Sequence, residues 1–493
     1  MDIGKFIVDN INKPLVYAFL ILSVYVITFI TLRYGFVFGL AVSFAPLVIL
    51  YLILIINNPY WGFFAIFILN YYVSGLSRYI KAISPGILMD VLLVVTIISL
   101  IFQVFKSDTK YHWERANNSL VVLAFIWFLY CVLELLNPGS STVGWITSVR
   151  GIGVYFLVIV VITSIIMKRY RDFKILLITW AILSLTAVLK ALIQKYIGFD
   201  AWESRWLYLE GGMATHIIYS GIRYFSFYTD AANFGTGIAF SGIVFAITSV
   251  YIKGLRLKIF FFLTFLACMY AMLISGTRGS IAVPFVGFTL FAFLSKKTRI
   301  MISSAVIVIT AYLLLNFTSY GNGISYIRRL RSAFNIEDAS FQVRIENQRK
   351  LRVYLADKPI GAGIGMSRGS AKTYRPDSYL AQIPNDSWYV MIWVETGIIG
   401  LVLHVFILLY IVLYGAYIVY FRLKDNELRG LVTALICGLS GVYVASYSLE
   451  IMGQFPTGFI LYISMTLIFI SPRFDEEIEE MKKINDKNYE ITA

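Results

Sequence analysis

The chain has 493 residues, of which 59% are hydrophobic and 14% are charged, and it carries a formal net charge of +14 at pH 7. Soluble domains contain roughly half apolar and a quarter charged residues, so this composition excludes an ordinary soluble globular protein. In a membrane protein an excess of Lys and Arg reports on topology, so it does not predict nucleic acid as a partner.

Apolar stretches recur along the whole chain. About 20 apolar residues cross a hydrocarbon core roughly 30 Å thick, and a helix satisfies its own backbone polar groups in lipid. The sequence therefore predicts an all-α, polytopic integral membrane protein with about 12–14 transmembrane helices. The candidate spans have their cores at about 15–32, 36–56, 60–76, 86–105, 119–136, 152–167, 174–194, 234–252, 258–275, 280–295, 300–316, 388–421, 430–448 and 456–471.

Short basic loops between these spans predict the topology. Loops rich in Lys and Arg stay in the cytoplasm, and here they alternate with the spans so that both termini are expected to be cytoplasmic. We expect one polytopic membrane domain over residues 1–472 and a charged cytoplasmic tail over residues 473–493. Long external loops are predicted at about 198–233 and, late in the chain, at about 317–387.

The cysteines and histidines show no ligand spacing. Cys131, Cys268 and Cys437 lie inside apolar runs, which predicts buried thiols rather than a disulfide framework. We therefore expect neither a metal site nor a cofactor.

Arginines occur on the side where the positive-inside rule predicts few of them. Arg150 and Arg278 stand in or beside short external connections, and Arg223 and Arg344 stand in the two long external loops. Arginine makes bidentate contacts with phosphate and stays charged, so this set indicates an anionic, membrane-embedded substrate such as a lipid diphosphate. The alternative for each of them is an ion pair with a lipid headgroup or a local carboxylate.

The stretch 222–235, IRYFSFYTDAANFG, places polar groups among aromatic residues. Asp230 and Asn233 are candidates for hydrogen bonds to sugar hydroxyls, and the neighbouring rings are candidates for stacking on sugars. The alternative is an aromatic belt at the membrane interface, which would explain Tyr224 and Phe227 without any ligand.

Two features of the larger loop and its end suggest specific geometry. A helix is predicted from about Phe341 to Ala356, followed by the glycine run PIGAGIG at 359–365. No strand–turn–helix unit surrounds that run, so it does not predict a dinucleotide site, and we interpret it as a turn whose amides approach an anion. At 388–421 the apolar run is too long for one span, and we expect a short helix, a turn at Gly397 to Gly400 and then the span.

Ionisable residues inside spans are costly and are therefore functional candidates. Five fall in predicted spans: Asp90, Lys190, Glu395, His404 and Glu450. We expect Asp90 and Lys190 to pair with polar neighbours. Glu395 lies near the outer surface and is the preferred candidate.

Three stretches together resemble the O-antigen ligase and O-antigen polymerase superfamily of bacterial polytopic membrane glycosyltransferases. They are ISGTRGS at 274–280, RVYLADKPIGAGIG at 352–365 and DSWYVMIWVETGIIGL at 386–401, and the stretch at 222–235 resembles a fourth, looser segment. The resemblance extends over about residues 150–450. It departs from the family pattern at Asp386, which stands where the family has a histidine, and at Ser387, which stands where it has an asparagine.

The resemblance implies transfer of a glycan from a polyprenyl (undecaprenyl) diphosphate carrier to an acceptor hydroxyl, at the periplasmic face of the bacterial inner membrane. The implied partners are this donor, a glycan or lipid A-core acceptor and membrane lipids, with no nucleotide sugar, metal or nucleic acid. Arg278, Arg223, Arg344 and Arg150 would stabilise the diphosphate leaving group. Asp386 would accept the acceptor proton, and Glu395 would hold the helix or the acceptor. Asp230, Asn233, Asn385 and Trp388 would contact glycan or acceptor.

Alternatives remain open at this level. A ligase attaches a finished glycan to its acceptor, and a polymerase joins repeat units, and the sequence does not separate the two. A transporter or flippase for a lipid-linked glycan would need no bond chemistry, and a non-catalytic scaffold would need none either.

Overall fold

A computed structural model describes residues 14–80, 84–105, 111–218, 221–319, 322–334, 339–384 and 387–492. Helix dominates these parts of the chain. The first helices are α1 (Pro14–Tyr34), α2 (Phe36–Asn57), α3 (Pro59–Tyr79), α4 (Pro85–Val104), α5 (Ser119–Leu133), α6 (Thr142–Val149), α7 (Tyr155–Ile166), α8 (Tyr170–Tyr196), α9 (Ala201–Leu209) and α10 (Met213–His216).

Two short strands, β1 (Ile217–Ile218) and β2 (Gly221–Ile222), pair antiparallel after α10. The remaining helices are α11 (Ala231–Tyr251), α12 (Leu255–Ile274), α13 (Ala282–Leu294), α14 (Thr298–Phe317), α15 (Ser325–Arg331), α16 (Ala339–Tyr354), α17 (Arg368–Tyr374), α18 (Tyr379–Gln382), α19 (Trp388–Tyr417), α20 (Asn426–Ala445) and α21 (Thr457–Thr492). Short 3₁₀ or π-helical turns cover Trp113–Ala116, Glu134–Leu136, Arg150–Val154, Arg278–Ile281, Ser332–Phe334 and Ile418–Arg422.

Membrane-spanning candidates are plentiful among the described helices. Nine helical stretches there are long and apolar enough to cross a membrane, and four shorter apolar helices accompany them. The nine stretches are Gly86–Gln103, Ser119–Leu136, Thr142–Ile166, Tyr170–Tyr196, Ala231–Tyr251, Leu255–Ile274, Trp388–Arg422, Asn426–Ala445 and Thr457–Ile484. The prediction of an all-α, polytopic membrane protein is confirmed.

The chain divides into two compact units. The first comprises residues 1–62 and 94–110, and the second comprises residues 63–93 and 111–493. In the first unit, Ser99 donates a hydrogen bond of 2.6 Å to the carbonyl of Ile55. The predicted single domain over residues 1–472 and the cytoplasmic position of the tail stay predictions.

The second unit is built around α11. This helix is buried along most of its length and packs against α12 and α20, while α20 also packs against α13. Small residues allow the close approach, since a Cβ on Gly438 would lie 2.6 Å from the ring of Phe240. The three cysteines are free and buried, as predicted.

The long apolar run at 388–421 contains the predicted break. Gly397 has φ 68° and ψ −171° inside α19, so a short helical segment precedes the kink and the longer apolar segment follows it. A positive φ of this kind is readily adopted by glycine and strained for other residues. The expected turn at Gly397 is confirmed.

Candidate functional site

The turn that carries Arg278 is fixed to the beginning of α11. The buried Thr277 hydroxyl donates a hydrogen bond of 2.8 Å to the carbonyl of Ala231. It also accepts a hydrogen bond of 2.8 Å from Arg223. Gly276 has φ 59°, and a Cβ there would lie 3.5 Å from Cγ of Arg223. The loop before α11 and the turn before α13 therefore bring Arg223 and Arg278 to one place.

Positive charge is concentrated at this turn. Burial lowers the pKa of the Arg223 guanidinium, Asp230 opposes this effect, and the nearby Arg278 lowers that pKa further. A guanidinium nevertheless stays protonated in a protein, so both charges persist. An anion between or beside these groups would offset their mutual repulsion.

Arg278 and Arg344 line one cavity of about 380 Å³, which we call the arginine cavity. Arg278 comes from the turn before α13 and Arg344 from α16, and Arg278 donates a hydrogen bond of 3.2 Å to Ser332. No acidic side chain occurs among the described residues that line it. The other lining residues that matter here are Ile281, Phe285, Val286, Phe341, Ile345, Gln348, Tyr447 and Ser448.

The predicted acceptor side adjoins this cavity. Arg344 also borders a small gap that Pro384 and Ser387 line, and Asn347 donates a hydrogen bond of 3.2 Å to the carbonyl of Pro384. The two residues between Pro384 and Ser387 are Asn385 and Asp386, and both lie outside the described residues. Their predicted roles as acceptor contact and general base therefore stay predictions.

Ser387 directly precedes α19 and caps its first turn. Its hydroxyl accepts a hydrogen bond of 3.4 Å from the amide of Val390 and donates one of 3.3 Å to the carbonyl of Ser446. A serine suits this capping position because its short side chain satisfies an otherwise free helix amide. Ser446 directly precedes Tyr447 and Ser448, so this contact ties the acceptor-side stretch to a wall of the arginine cavity.

Glu395 is buried and holds the glycine run against α19. One carboxylate oxygen accepts a hydrogen bond of 2.6 Å from Ser367, and the side chain is 2% exposed. The amides of Ala362 and Gly363 donate to the carbonyls of Val394, at 2.8 Å, and of Glu395, at 3.1 Å. Glu395 is not among the residues that line the arginine cavity, and its predicted role of holding the helix or the acceptor in place stays a prediction.

The glycine run itself is a packing element. Gly361, Gly363 and Gly365 all have positive φ, and a Cβ on Gly361 would lie 2.5 Å from the amide nitrogen of Gly397. The amides of Ala362 and Gly363 bond to protein carbonyls, so these two are not available to an anion. Anion binding by the rest of the run stays a prediction.

Arg150 lies in an ion pair. Its Nη1 is 2.6 Å from Oδ2 of Asp90, and the hydroxyl of Tyr155 donates to the other oxygen of Asp90 at 2.7 Å. Lys190 is similarly paired, at 3.1 Å from carboxylate oxygens of Asp200 and Glu203. Arg150 does not line the arginine cavity, so its predicted contact with diphosphate stays a prediction, and the ion pair is the alternative that this geometry favours.

Asp230 and Asn233 have structural roles at the start of α11. Asp230 caps the helix by accepting from the amides of Ala232, at 2.7 Å, and Asn233, at 2.9 Å. The fully buried Asn233 side chain donates to the carbonyl of Phe455 at 2.7 Å and accepts from Thr457. The hydrogen bonds of both side chains to protein atoms account for their presence here without a ligand. Their predicted contacts with glycan stay predictions.

Trp388 is placed inside the protein. Its side chain is 3% exposed, and its indole nitrogen donates a hydrogen bond of 2.9 Å to His404. A Cβ on Gly453 would lie 3.0 Å from the indole, so the packing around the ring is close. Stacking of Trp388 on a sugar stays a prediction that this buried position does not support.

Sequence reasoning missed several residues of the arginine cavity. Tyr447 and Ser448 contribute to its lining, and so does Gln348 on α16. The polar run SYSLE at 446–450, which follows the apolar span of α20, was the available signal. Among the described residues no group of three or more His, Cys, Asp or Glu is placed to hold a metal ion, and metal independence stays a prediction.

Comparison with known proteins gives one family match. Residues 260–405 match a family model described as O-antigen ligase, a segment that contains Arg278, Arg344 and Glu395. This match confirms the resemblance to the O-antigen ligase and polymerase superfamily, and it supports a membrane glycosyltransferase of the ligase or polymerase type. No curated protein matches the chain.

Proposed function

We propose that the protein transfers a glycan from a polyprenyl (undecaprenyl) diphosphate carrier to an acceptor hydroxyl at the periplasmic face of the bacterial inner membrane. The product would enter lipopolysaccharide or another surface polysaccharide. The donor, the acceptor glycan or lipid A-core and the side of the membrane belong to this proposal.

The arginine cavity is the observation that carries it. Arg278 and Arg344 face one space of about 380 Å³, within the usual range for small-molecule sites. Phe285 and Val286 of α13 form an apolar wall of the same space. A ligand with a doubly charged head and an apolar tail matches both surfaces, and a polyprenyl diphosphate has that chemistry.

The reaction places most of its charge on the leaving group. The acceptor oxygen would attack the anomeric carbon, form the new glycosidic bond and break the bond between that carbon and the diphosphate oxygen. The bond electrons then move to the polyprenyl diphosphate, whose added negative charge Arg278 and Arg344 are placed to stabilise. Fixed charges aimed at developing charge are commonly the largest single contribution to catalysis.

Asp386 is the proposed acceptor of the hydroxyl proton. A carboxylate within hydrogen-bond reach of a hydroxyl can act as a general base, so it is chemically suited to replace the family's histidine. The described neighbours Pro384 and Ser387 border the gap next to Arg344, which supports placing this base beside the diphosphate. The proton would pass from Asp386 to water after the product leaves.

The test is transfer by purified protein from a polyprenyl-diphosphate-linked glycan. We expect Arg278→Ala and Arg344→Ala to lower the transfer rate by about 10²–10³-fold, as the loss of a fixed transition-state donor does. Asp386→Ala should also lose activity, and Asp386→His should retain it. Arg349→Ala is the matched control, because Arg349 lies on the same helix as Arg344 and its side chain is 76% exposed.

Two results would overturn the proposal. Full transfer activity in both Arg278→Ala and Asp386→Ala would contradict the proposed mechanism. If the protein moves the donor across the membrane of proteoliposomes and transfers no glycan to the acceptor, a lipid-linked glycan transporter would be favoured instead.

Ligase and polymerase differ in the phenotype of a gene deletion. Single repeat units still attached to the acceptor would indicate a polymerase. Complete polymer left on its lipid carrier would indicate a ligase.

A further inference from the structure

A second cavity lies at the other end of α16, and we call it the distal cavity. It measures about 390 Å³, and its lining includes Tyr354, Lys358, Ile360, Arg375 and Ser378. Among the described residues, none lines both this cavity and the arginine cavity. No described residue that was given a catalytic, diphosphate-binding or acceptor-binding role above lines it.

The walls of the distal cavity are fixed by internal contacts. The ring of Tyr354 stacks on Tyr379 with centroids 5.2 Å apart, and the ammonium of Lys358 lies 4.1 Å from the centroid of Tyr354. Lys358 also pairs with Asp357 at 3.1 Å, and Arg375 donates a hydrogen bond of 3.1 Å to the carbonyl of Ser140. Side chains that are already held in place lose little entropy when a ligand binds.

The lining chemistry suits a carbohydrate. Apolar surfaces from Tyr354, Pro359 and Ile360 are combined with charged and hydroxyl groups from Lys358, Arg375 and Ser378. Sites that bind small polar molecules typically combine a largely apolar wall with a few polar groups that fix orientation. A sugar presents C–H surfaces and hydroxyls together, so it can use both kinds of contact.

The helix α16 connects the two cavities. Arg344 lines the arginine cavity and Tyr354 lines the distal cavity, ten residues later (354 − 344) on one helix. At about 1.5 Å per residue, this separates them by roughly 15 Å along the helix axis. The small gap lined by Asn347 and Leu351 lies between them on the same helix. An oligosaccharide of a few sugars spans such a distance.

We propose that the distal cavity is a glycan subsite that binds sugars a few units from the reacting anomeric carbon. This inference rests on the proposed function, because it assumes that the diphosphate end of the donor occupies the arginine cavity. The sugars could belong to the donor chain or to the acceptor chain, since both are glycans.

The experiment compares Tyr354→Ala and Arg375→Ala with wild type on substrates of different length. Donors carry either one sugar or the native oligosaccharide on polyprenyl diphosphate, and acceptors are likewise short or long. We expect each variant to lower kcat/KM for the long substrate by about tenfold, which corresponds to loss of one good aromatic or polar contact. The short substrates should be unaffected, and Arg349→Ala serves again as the control with an exposed side chain on α16.

Each outcome decides something. A loss that follows donor length assigns the subsite to the donor, and a loss that follows acceptor length assigns it to the acceptor. Equal losses on short and long substrates, or no loss on either, overturn the subsite.

Failure of the proposed function gives a different result. If wild-type protein transfers no glycan at all, binding of the delipidated native oligosaccharide is measured by saturation-transfer NMR. If wild-type protein binds the oligosaccharide and Tyr354→Ala does not, the subsite is supported although the transferase proposal is rejected. Absence of binding to wild-type protein would overturn the subsite as well.

Discussion

Ser367 donates a hydrogen bond of 2.6 Å to the buried carboxylate of Glu395. The bond joins the segment after the glycine run to the short helix that precedes the kink in α19. Glu395 is 2% exposed and Ser367 is 6% exposed, so water does not readily replace either partner. This contact therefore fixes the junction between the predicted large loop and the short helical segment that follows Asp386 in the sequence.

Removing the hydroxyl of Ser367 should weaken this junction. Ser367→Ala removes one hydrogen bond from a buried carboxylate, and we expect a loss of about 1–3 kcal/mol in stability. Thermal denaturation of the purified protein in detergent would measure the change. Thr373→Ala is the control, since its hydroxyl bonds an exposed helix carbonyl, and it should change stability by less than about 0.5 kcal/mol. Equal effects of the two substitutions would contradict the role of Ser367.

Gly397 should not tolerate a side chain. Its φ of 68° is strained for other residues, and a Cβ there would lie 2.0 Å from the carbonyl oxygen of Pro359. We expect Gly397→Ala to cost at least about 2 kcal/mol, from backbone strain and overpacking together. Gly369→Ala is the matched control, because none of the described heavy atoms lies within 4 Å of the position of its Cβ. Melting temperatures in detergent that fall equally for both variants would refute the close packing.

Local sequence patterns were sufficient to predict most of the helices of the fold. Runs of apolar residues located the helices, and the spacing Gly397 to Gly400 within a run too long for one span located the kink. The expected pairing of Asp90 is also found, with Arg150 at 2.6 Å. Each of these features depends on residues near one another in sequence, or on the general cost of a charge in lipid.

The site was harder to predict from the sequence, because its side chains contact residues that are far away in the chain. Asn233 looked available for a sugar, but its amide bonds the carbonyl of Phe455, a residue on a much later loop. The sequence predicts that Trp388 contacts glycan or acceptor, but in the structure His404 and Gly453 enclose its ring. Residue type predicted that arginines would converge, whereas the pairing of Arg278 with Arg344 in one cavity required the tertiary structure.

The ion pair between Arg150 and Asp90 should affect stability more than transfer. Both side chains are about one-third exposed, at 35% and 32%, so a double-mutant cycle should give a coupling of about 1 kcal/mol or less. We expect Arg150→Ala and Asp90→Ala to retain most transfer activity, since Arg150 does not line the arginine cavity. An activity loss in Arg150→Ala as large as that in Arg278→Ala, with Asp90→Ala still active, would instead restore the diphosphate role.

His216 holds the loop that carries Arg223. Its Nε2 accepts a hydrogen bond of 3.2 Å from the amide of Ala231, and its Nδ1 lies 2.9 Å from the carbonyl of Gly212. These two contacts require the neutral imidazole, with the proton on Nδ1. The backbone of His216 also accepts a hydrogen bond of 2.9 Å from the amide of Arg223. Protonation of Nε2 would remove an acceptor from the start of α11.

Stability should therefore fall on acidification. Burial lowers the pKa of His216 from its ordinary value of 6.5 to about 4, with Asp230 opposing and Arg223 and Arg78 adding to the shift. The unfolded chain binds this proton at higher pH than the folded chain, so stability is complete above about pH 6.5 and declines towards pH 4. Melting temperatures of wild type and His216→Gln across this window would measure it.

The difference between the two curves isolates His216 from the other titrating groups. His216→Gln should be less stable than wild type at pH 7, because it loses part of the contacts to Ala231 and Gly212, and its curve should be flatter between pH 6.5 and pH 4. His112→Gln is the control, since His112 is exposed, and its curve should follow that of wild type. Parallel curves for wild type and His216→Gln would show that this imidazole does not stay neutral in the folded protein.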